Sequence, residues 1–125
     1  MDQLFNTFFN WELMLQVLPD ILLIGVPNTL ILSAAAALIG VLLGMVIAVM
    51  GLSARRILRW PARVYTDVFR GLPAILTILL IGQGLSPLTV PIFGPTPFPL
   101  AILALGLITA SYTGEILRSG IQSVE

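Results

Sequence analysis

The side chains that could do chemistry here are few, and most are charged: six Arg and six carboxylates, with no Lys, His or Cys. A nucleophile–base pair cannot be assembled from them. Zinc and other soft metals lose their usual ligands, and no thiolate or disulfide chemistry exists. A phosphate-binding GxxxxGK[ST] loop is impossible without Lys. The carboxylates Asp2, Glu12, Asp20, Asp67, Glu115 and Glu125 are scattered along the chain. No catalytic, cofactor or metal residue is assigned, and the chain reads as a non-enzyme. What remains is electrostatic. Arg63 and Asp67 are spaced i,i+4, while Asp67–Arg70 and Glu115–Arg118 are spaced i,i+3, so each set can pair along one helix face.

The elements that must position these groups follow from where charge is missing. Ile21 to Ala54 contains none, and neither does Gly71 to Gly114. Charged residues total 10% against roughly 25% in soluble domains, and mean hydropathy is +1.04. A charge-free apolar run of about 18 residues is a transmembrane candidate. The first run holds one span and the second holds two. The expected fold class is therefore an all-α membrane protein with three transmembrane helices. Five Arg lie between Arg55 and Arg70, and the sixth is Arg118. The positive-inside rule then puts 51–70 and 115–125 in the cytoplasm, with the N-terminus outside and the C-terminus inside. Zero net charge argues against nucleic acid as a partner.

The expected segments are an extracytoplasmic, interfacial stretch over 1–20, a first span over 21–50, an Arg-rich loop over 51–66, and a second span over 67–85. A Pro-rich outer loop over 86–97, a third span over 98–118 and a cytoplasmic stretch over 119–125 follow. Thirty helical residues would reach about 45 Å across a core of about 30 Å, so the first span tilts or begins outside it. Pro27 can begin its regular helix and Pro61 can begin a helix in the loop. Pro73 should kink the second span or mark its first turn. Prolines 87, 91, 95, 97 and 99 predict that no regular helix survives over 85–99. Two stripes of small residues at i,i+4 spacing, Ala36–Gly40–Gly44–Ala48 and Gly106–Ala110–Gly114, predict helix-packing faces.

Four stretches in order carry a resemblance. Phe9-Asn10-Trp11-Glu12, then Pro19 and Gly25-Val26-Pro27-Asn28-Thr29-Leu30, is similar to an "FxW…P…GxxxTL" opening. Gly40, Gly44 and Ala48 with Leu52-Ser53 resemble "GxxxGxxxA…LS". Tyr65-Thr66-Asp67-Val68-Phe69-Arg70-Gly71-Leu72-Pro73 resembles "YxDxFRGTP", with Leu72 in place of Thr. Tyr112 to Val124 resembles "YxAExxRGGIxSV", with Gly114 for Ala and Ser119 for Gly. Together they resemble the permease subunit of bacterial ABC importers for polar amino acids.

That resemblance implies a multi-pass subunit of the bacterial plasma membrane with no cofactor of its own. The lipid bilayer surrounds it. Its implied partners are ABC ATPase subunits, an extracytoplasmic amino-acid-binding protein, and a second copy of itself or a paralogous permease. It implies that Asp67, Arg70 and Pro73 help form the cytoplasmic gate, and that Glu115 and Arg118 connect the third span to a coupling helix. The resemblance covers nearly the whole chain but only the first part of the family's domain, which continues into the EAA loop and two more spans. The chain is thus expected to be a fragment, unable alone to couple ATP hydrolysis to transport. A stand-alone three-span protein, such as a holin-like pore or an assembly subunit, explains length and hydropathy but not the four ordered motifs. A permease for another solute, such as methionine or an organic anion, stays open.

Overall fold

The computed structural model describes residues 1–124, all helix and connections, with no strand among them. Glu125, the end of the expected cytoplasmic stretch, lies outside the described residues. Six α-helices follow in order: α1 (Asp2–Phe8), α2 (Trp11–Asp20), α3 (Val26–Leu52), α4 (Arg56–Gly71), α5 (Ala74–Phe93) and α6 (Phe98–Ser123), with a π-helical turn at Ile21–Gly25 before α3. Three helical stretches are long and apolar enough to cross a membrane. The first ends with α3, and the others are α5 and α6. The chain divides between Ile31 and Leu32 into two compact units.

In the first unit, Asn10 caps α2 by accepting from Leu13 N–H at 3.2 Å. The π-helical turn has a local cause at Pro27. A proline ring has no N–H and collides with the carbonyl four residues back, here Leu23. Widening the turn before it relieves that crowding. Phe5 and Phe9 stack with ring centroids 5.2 Å apart.

In the second unit the two small-residue stripes meet each other. A Cβ built on Gly40 would lie 2.5 Å from Thr109 Cγ2 and 2.6 Å from Thr109 Cβ. One on Gly44 would lie 2.9 Å from Thr113 Cβ, and one on Gly114 would lie 3.2 Å from the Gly44 carbonyl oxygen. Gly106 faces Ile39 and the Ala36 carbonyl. Contacts advance in the same direction on both helices, so α3 and α6 run parallel. With lipid as apolar as the side chains, such association rests on dispersion contacts that only close backbones provide. Ala36, Gly40, Gly44, Ala48, Gly106, Ala110 and Gly114 are all buried.

Three helix limits differ from those expected. The loop over 51–66 is mostly helical: α4 starts at Arg56, five residues before Pro61, because the Arg55 carbonyl accepts from Leu58 N–H and Arg59 N–H at 3.2 and 3.1 Å. The helix does not run unbroken from Asp67 into the second span. Pro73 pushes Leu72 out of the helical region, to φ −87°, ψ 139°, and α4 ends there. Pro73 then caps α5 as an extended residue, its carbonyl accepting from Thr77 N–H at 3.1 Å. Finally, α5 continues through Pro87 and Pro91 to Phe93. Proline's fixed φ suits a helix, and unwinding at membrane depth would strand more polar groups than two missing N–H donors do. Thr89 Oγ1 adds bonds to the Leu85 and Ser86 carbonyls at 3.3 Å. The connection shrinks to 94–97, opened by Gly94 at φ 79°, where glycine suits the left-handed backbone. Pro97 and Pro99 then sit at the start of α6, where missing N–H groups cost nothing.

A charged cleft between α3, α4 and α6 as the candidate functional site

Helix α4 carries three distinct faces. Ala62 and Thr66 are buried, with Tyr65 and Phe69 half-buried beside them. Arg56, Arg63, Asp67 and Arg70 are exposed, with Arg59 half-exposed in the same row. Ile57, Trp60, Val64 and Val68 form an exposed apolar row. The first face packs through small residues: Ala62 joins Ile47 and Ala110 in one apolar cluster, with Leu43, Met50 and Tyr65 against it. Thr66 satisfies its hydroxyl on the Ala62 carbonyl at 2.9 Å.

Two side chains tie α4 to α6. Tyr65 Oη donates to the Leu107 carbonyl at 2.6 Å, and Tyr65 stacks on Phe69 at 4.6 Å. Burial pushes the Tyr65 phenol up to about 12, because the phenolate would lose solvation. The Arg70 guanidinium sits 5.5 Å from the centroid of the Tyr112 ring, within cation–π range.

Where the buried and charged faces of α4 adjoin, a cleft of about 230 Å³ opens toward α3 and α6. Its polar lining is Arg63, Thr66, Asp67, Arg70, Glu115 and Arg118. Glu115 and Arg118 form a two-pronged pair: Nε donates to Oε2 at 3.1 Å and Nη2 to Oε1 at 2.5 Å. Arg118 Nη1 also donates to Gln122 Oε1 at 3.0 Å. The Arg118 stem passes Gly51, where a Cβ would lie 3.2 Å from its Cδ. Among the described residues this is the one ion pair. The i,i+4 and i,i+3 pairings of Arg63, Asp67 and Arg70 do not form. Arg70 engages Tyr112 instead, and Asp67 faces the cleft with no cation of a described residue within ion-pair distance.

Four of the five gate and coupling candidates thus share one cleft: Asp67, Arg70, Glu115 and Arg118. Pro73 is not among its lining residues; it sits at the α4–α5 break. Sequence reasoning missed Ala62, Tyr65 and Thr66 as the α4 packing face. The recurrence of Leu58, Ala62, Tyr65, Thr66 and Phe69 at three- and four-residue steps is the signal that marks it. It also missed a second, mainly apolar cleft of about 400 Å³ between α5 and α6, which includes Gln83, Ser86 and Thr96. Among the described residues there is no group of His, Cys or carboxylates able to hold a metal.

No family model matches the chain. Curated relatives match most of it. The arginine transport system permease protein ArtQ of Bacillus subtilis is 37% identical over 101 residues, covering 81% of this chain and 45% of ArtQ. The glutamate/aspartate import permease protein GltK of Escherichia coli is 33% identical, covering 93% of this chain and 54% of GltK. This chain is a homologue of the amino-acid ABC transporter permeases. The nopaline transport system permease protein NocM of Agrobacterium fabrum matches at 38% over 90% of this chain and 49% of its own. Among solved structures, a crystal structure of an amino acid ABC transporter with histidines aligns at TM-score 0.68 and 36% identity, covering 78% of this chain and 44% of that one. The permease homologue spans about half the length of the curated relatives it matches. Alongside that similarity, three helical stretches of the chain are long and apolar enough to cross a bilayer.

Proposed function

We propose that the chain is the membrane-spanning permease subunit of an ATP-driven, binding-protein-dependent importer of polar amino acids in the bacterial plasma membrane. In this reading it forms part of the translocation pathway. ATPase subunits on the cytoplasmic side hydrolyse ATP, an extracytoplasmic protein delivers the amino acid, and a second copy or a paralogous permease completes the path. The N-terminus lies outside and the C-terminus inside, following the Arg distribution. Residues 1–20 are then extracytoplasmic, and the α4 and cleft end of the helices faces the cytoplasm.

The observation that carries the reading is the similarity to permeases over four-fifths or more of the chain. The cleft supports a gating role for its charges. Helices α4 and α6 touch through one phenol–carbonyl bond, one cation–π contact and small-residue packing. These interactions are directional but few, so α6 can shift against α4 while α3 and α6 keep their close packing. Arg70 lies between two options, the Tyr112 ring and the carboxylates of the cleft. An exchange between them closes or opens the inner end. Pro73 supplies the break about which α5 turns relative to α4. Glu115 and Arg118, braced together, transmit movement of the last turns of α6.

The test is reconstitution of the transporter with its ATPase and binding protein in proteoliposomes. Uptake of a polar amino acid should require internal ATP, and Arg70→Gln should cut it while leaving assembly intact. Normal uptake by both Arg70→Gln and Glu115→Gln removes these residues from the gate.

A further inference from the structure

The three faces of α4 have a use that gating leaves untouched. The row Ile57, Trp60, Val64 and Val68 is open, with exposures of 79%, 68%, 48% and 48%. It adjoins the row of Arg56, Arg59, Arg63 and Arg70 on the same helix. Residues 55–70 hold five other charges besides Asp67, namely Arg55 and those four Arg, and none of the five forms an ion pair with a described residue. The opposite face is sealed against α3 and α6 by Ala62 and Thr66. A helix fixed to protein on one face, apolar on the second and cationic on the third, with a Trp between apolar and cationic rows, matches the requirements of the membrane–water boundary.

We propose that α4 binds an anionic phospholipid. Its phosphate is held by Arg59 and Arg63, the second of which lines the cleft, and its acyl chain lies along Trp60, Val64 and Val68. Charge selects the headgroup: the positive side chains of this row, free of carboxylate partners among the described residues, attract the phosphate oxygens. The apolar row selects a lipid over free phosphate, since free phosphate gains nothing from those side chains. The bound lipid also screens the cluster of like charges beside Arg70. The inference rests on membrane embedding and not on which solute is carried.

The test uses the assembled transporter in nanodiscs, with cysteine-free partner subunits. The chain has no native Cys, so Val64→Cys carries a single fluorophore. Brominated phosphatidylglycerol and brominated phosphatidylcholine are supplied in parallel at equal mole fraction. The phosphatidylglycerol should quench several-fold more, since each Arg near the surface contributes about fivefold to local enrichment. Arg59→Gln with Arg63→Gln should bring the two lipids close to parity, while Arg59→Lys with Arg63→Lys should keep the difference. Equal quenching in the unaltered transporter overturns the proposal. So does quenching by neither lipid, which means another protein surface covers the face. Loss of the difference in the Lys pair, or displacement by inorganic phosphate beyond the effect of chloride at equal ionic strength, overturns it as well.

Discussion

A single methyl at Gly40 tests the helix arrangement most sharply. Its Cβ would lie 2.5 Å from Thr109 Cγ2 and 2.6 Å from Thr109 Cβ, whereas carbon atoms rest at about 3.5–4.0 Å. Rotating the Thr109 side chain removes the first overlap but not the second, because Cβ is fixed to the backbone. Helices α3 and α6 must therefore separate by about 1 Å, and a gap of that size forfeits a quarter to a half of each contact's attraction. Overpacking of this kind costs about 1–3 kcal/mol. Alanine's better helix propensity returns up to about 1 kcal/mol. The net expectation for Gly40→Ala is a loss of about 1–2 kcal/mol. Gly82→Ala and Gly84→Ala meet nothing within 4 Å, so they should be neutral or slightly stabilising. Pairing Gly40→Ala with Thr109→Ala should not rescue, because the Cβ clash remains. Pairing it with Thr109→Gly should rescue, giving a coupling of about 1 kcal/mol or more. The assay is reversible unfolding followed by circular dichroism in mixed detergent. Equal stability of Gly40→Ala and Gly82→Ala, or rescue by Thr109→Ala, refutes the packing.

Other outcomes follow from the ties between α4 and α6. Tyr65→Phe should cost about 1 kcal/mol for the lost bond to the Leu107 carbonyl, measured in the same unfolding assay. The Tyr65 phenol is raised to about 12 in the folded state from an ordinary value near 10. Burial therefore opposes the phenolate in the folded state only, so stability falls as pH rises from about 10 toward 12. Phenolate absorbance should show Tyr65 ionising well above the ordinary tyrosine range near 10. Arg70→Lys should keep the charge but weaken the stacking over Tyr112, lowering uptake less than Arg70→Gln does in the reconstituted transporter. Pro73→Ala should let α4 and α5 join, seen as a longer protected segment in hydrogen exchange, with reduced uptake.

Much of the architecture was legible because charge is so sparse. Two charge-free stretches and one Arg cluster mark three apolar spans and their polar break. The stripes centred on Gly40 and Gly44 in α3 and on Ala110 in α6 were legible from four-residue spacing, though not that they face one another. Helix limits were less so. Pro61, Pro87 and Pro91 read as boundaries, since proline weakens helices in water. An apolar environment penalises the unwound alternative more, and α5 runs through both of its prolines. The cleft was only half legible. Glu115–Arg118 is a local pair on one helix. The bond of Tyr65 to Leu107 joins residues 42 positions apart, and Arg70 meets Tyr112 across the same two helices. Nothing in local spacing encodes either meeting. Asp67 forms no ion pair with a described residue, and Arg70 lies over the Tyr112 ring.

The central proposal is that this homologue of amino-acid permeases serves an amino-acid importer. Deleting its gene and measuring uptake of a panel of radiolabelled amino acids by intact, energised cells tests it most directly. Energy-dependent uptake of one or a few polar amino acids should fall to background and return with the gene. Unchanged uptake of every amino acid in the panel contradicts the account.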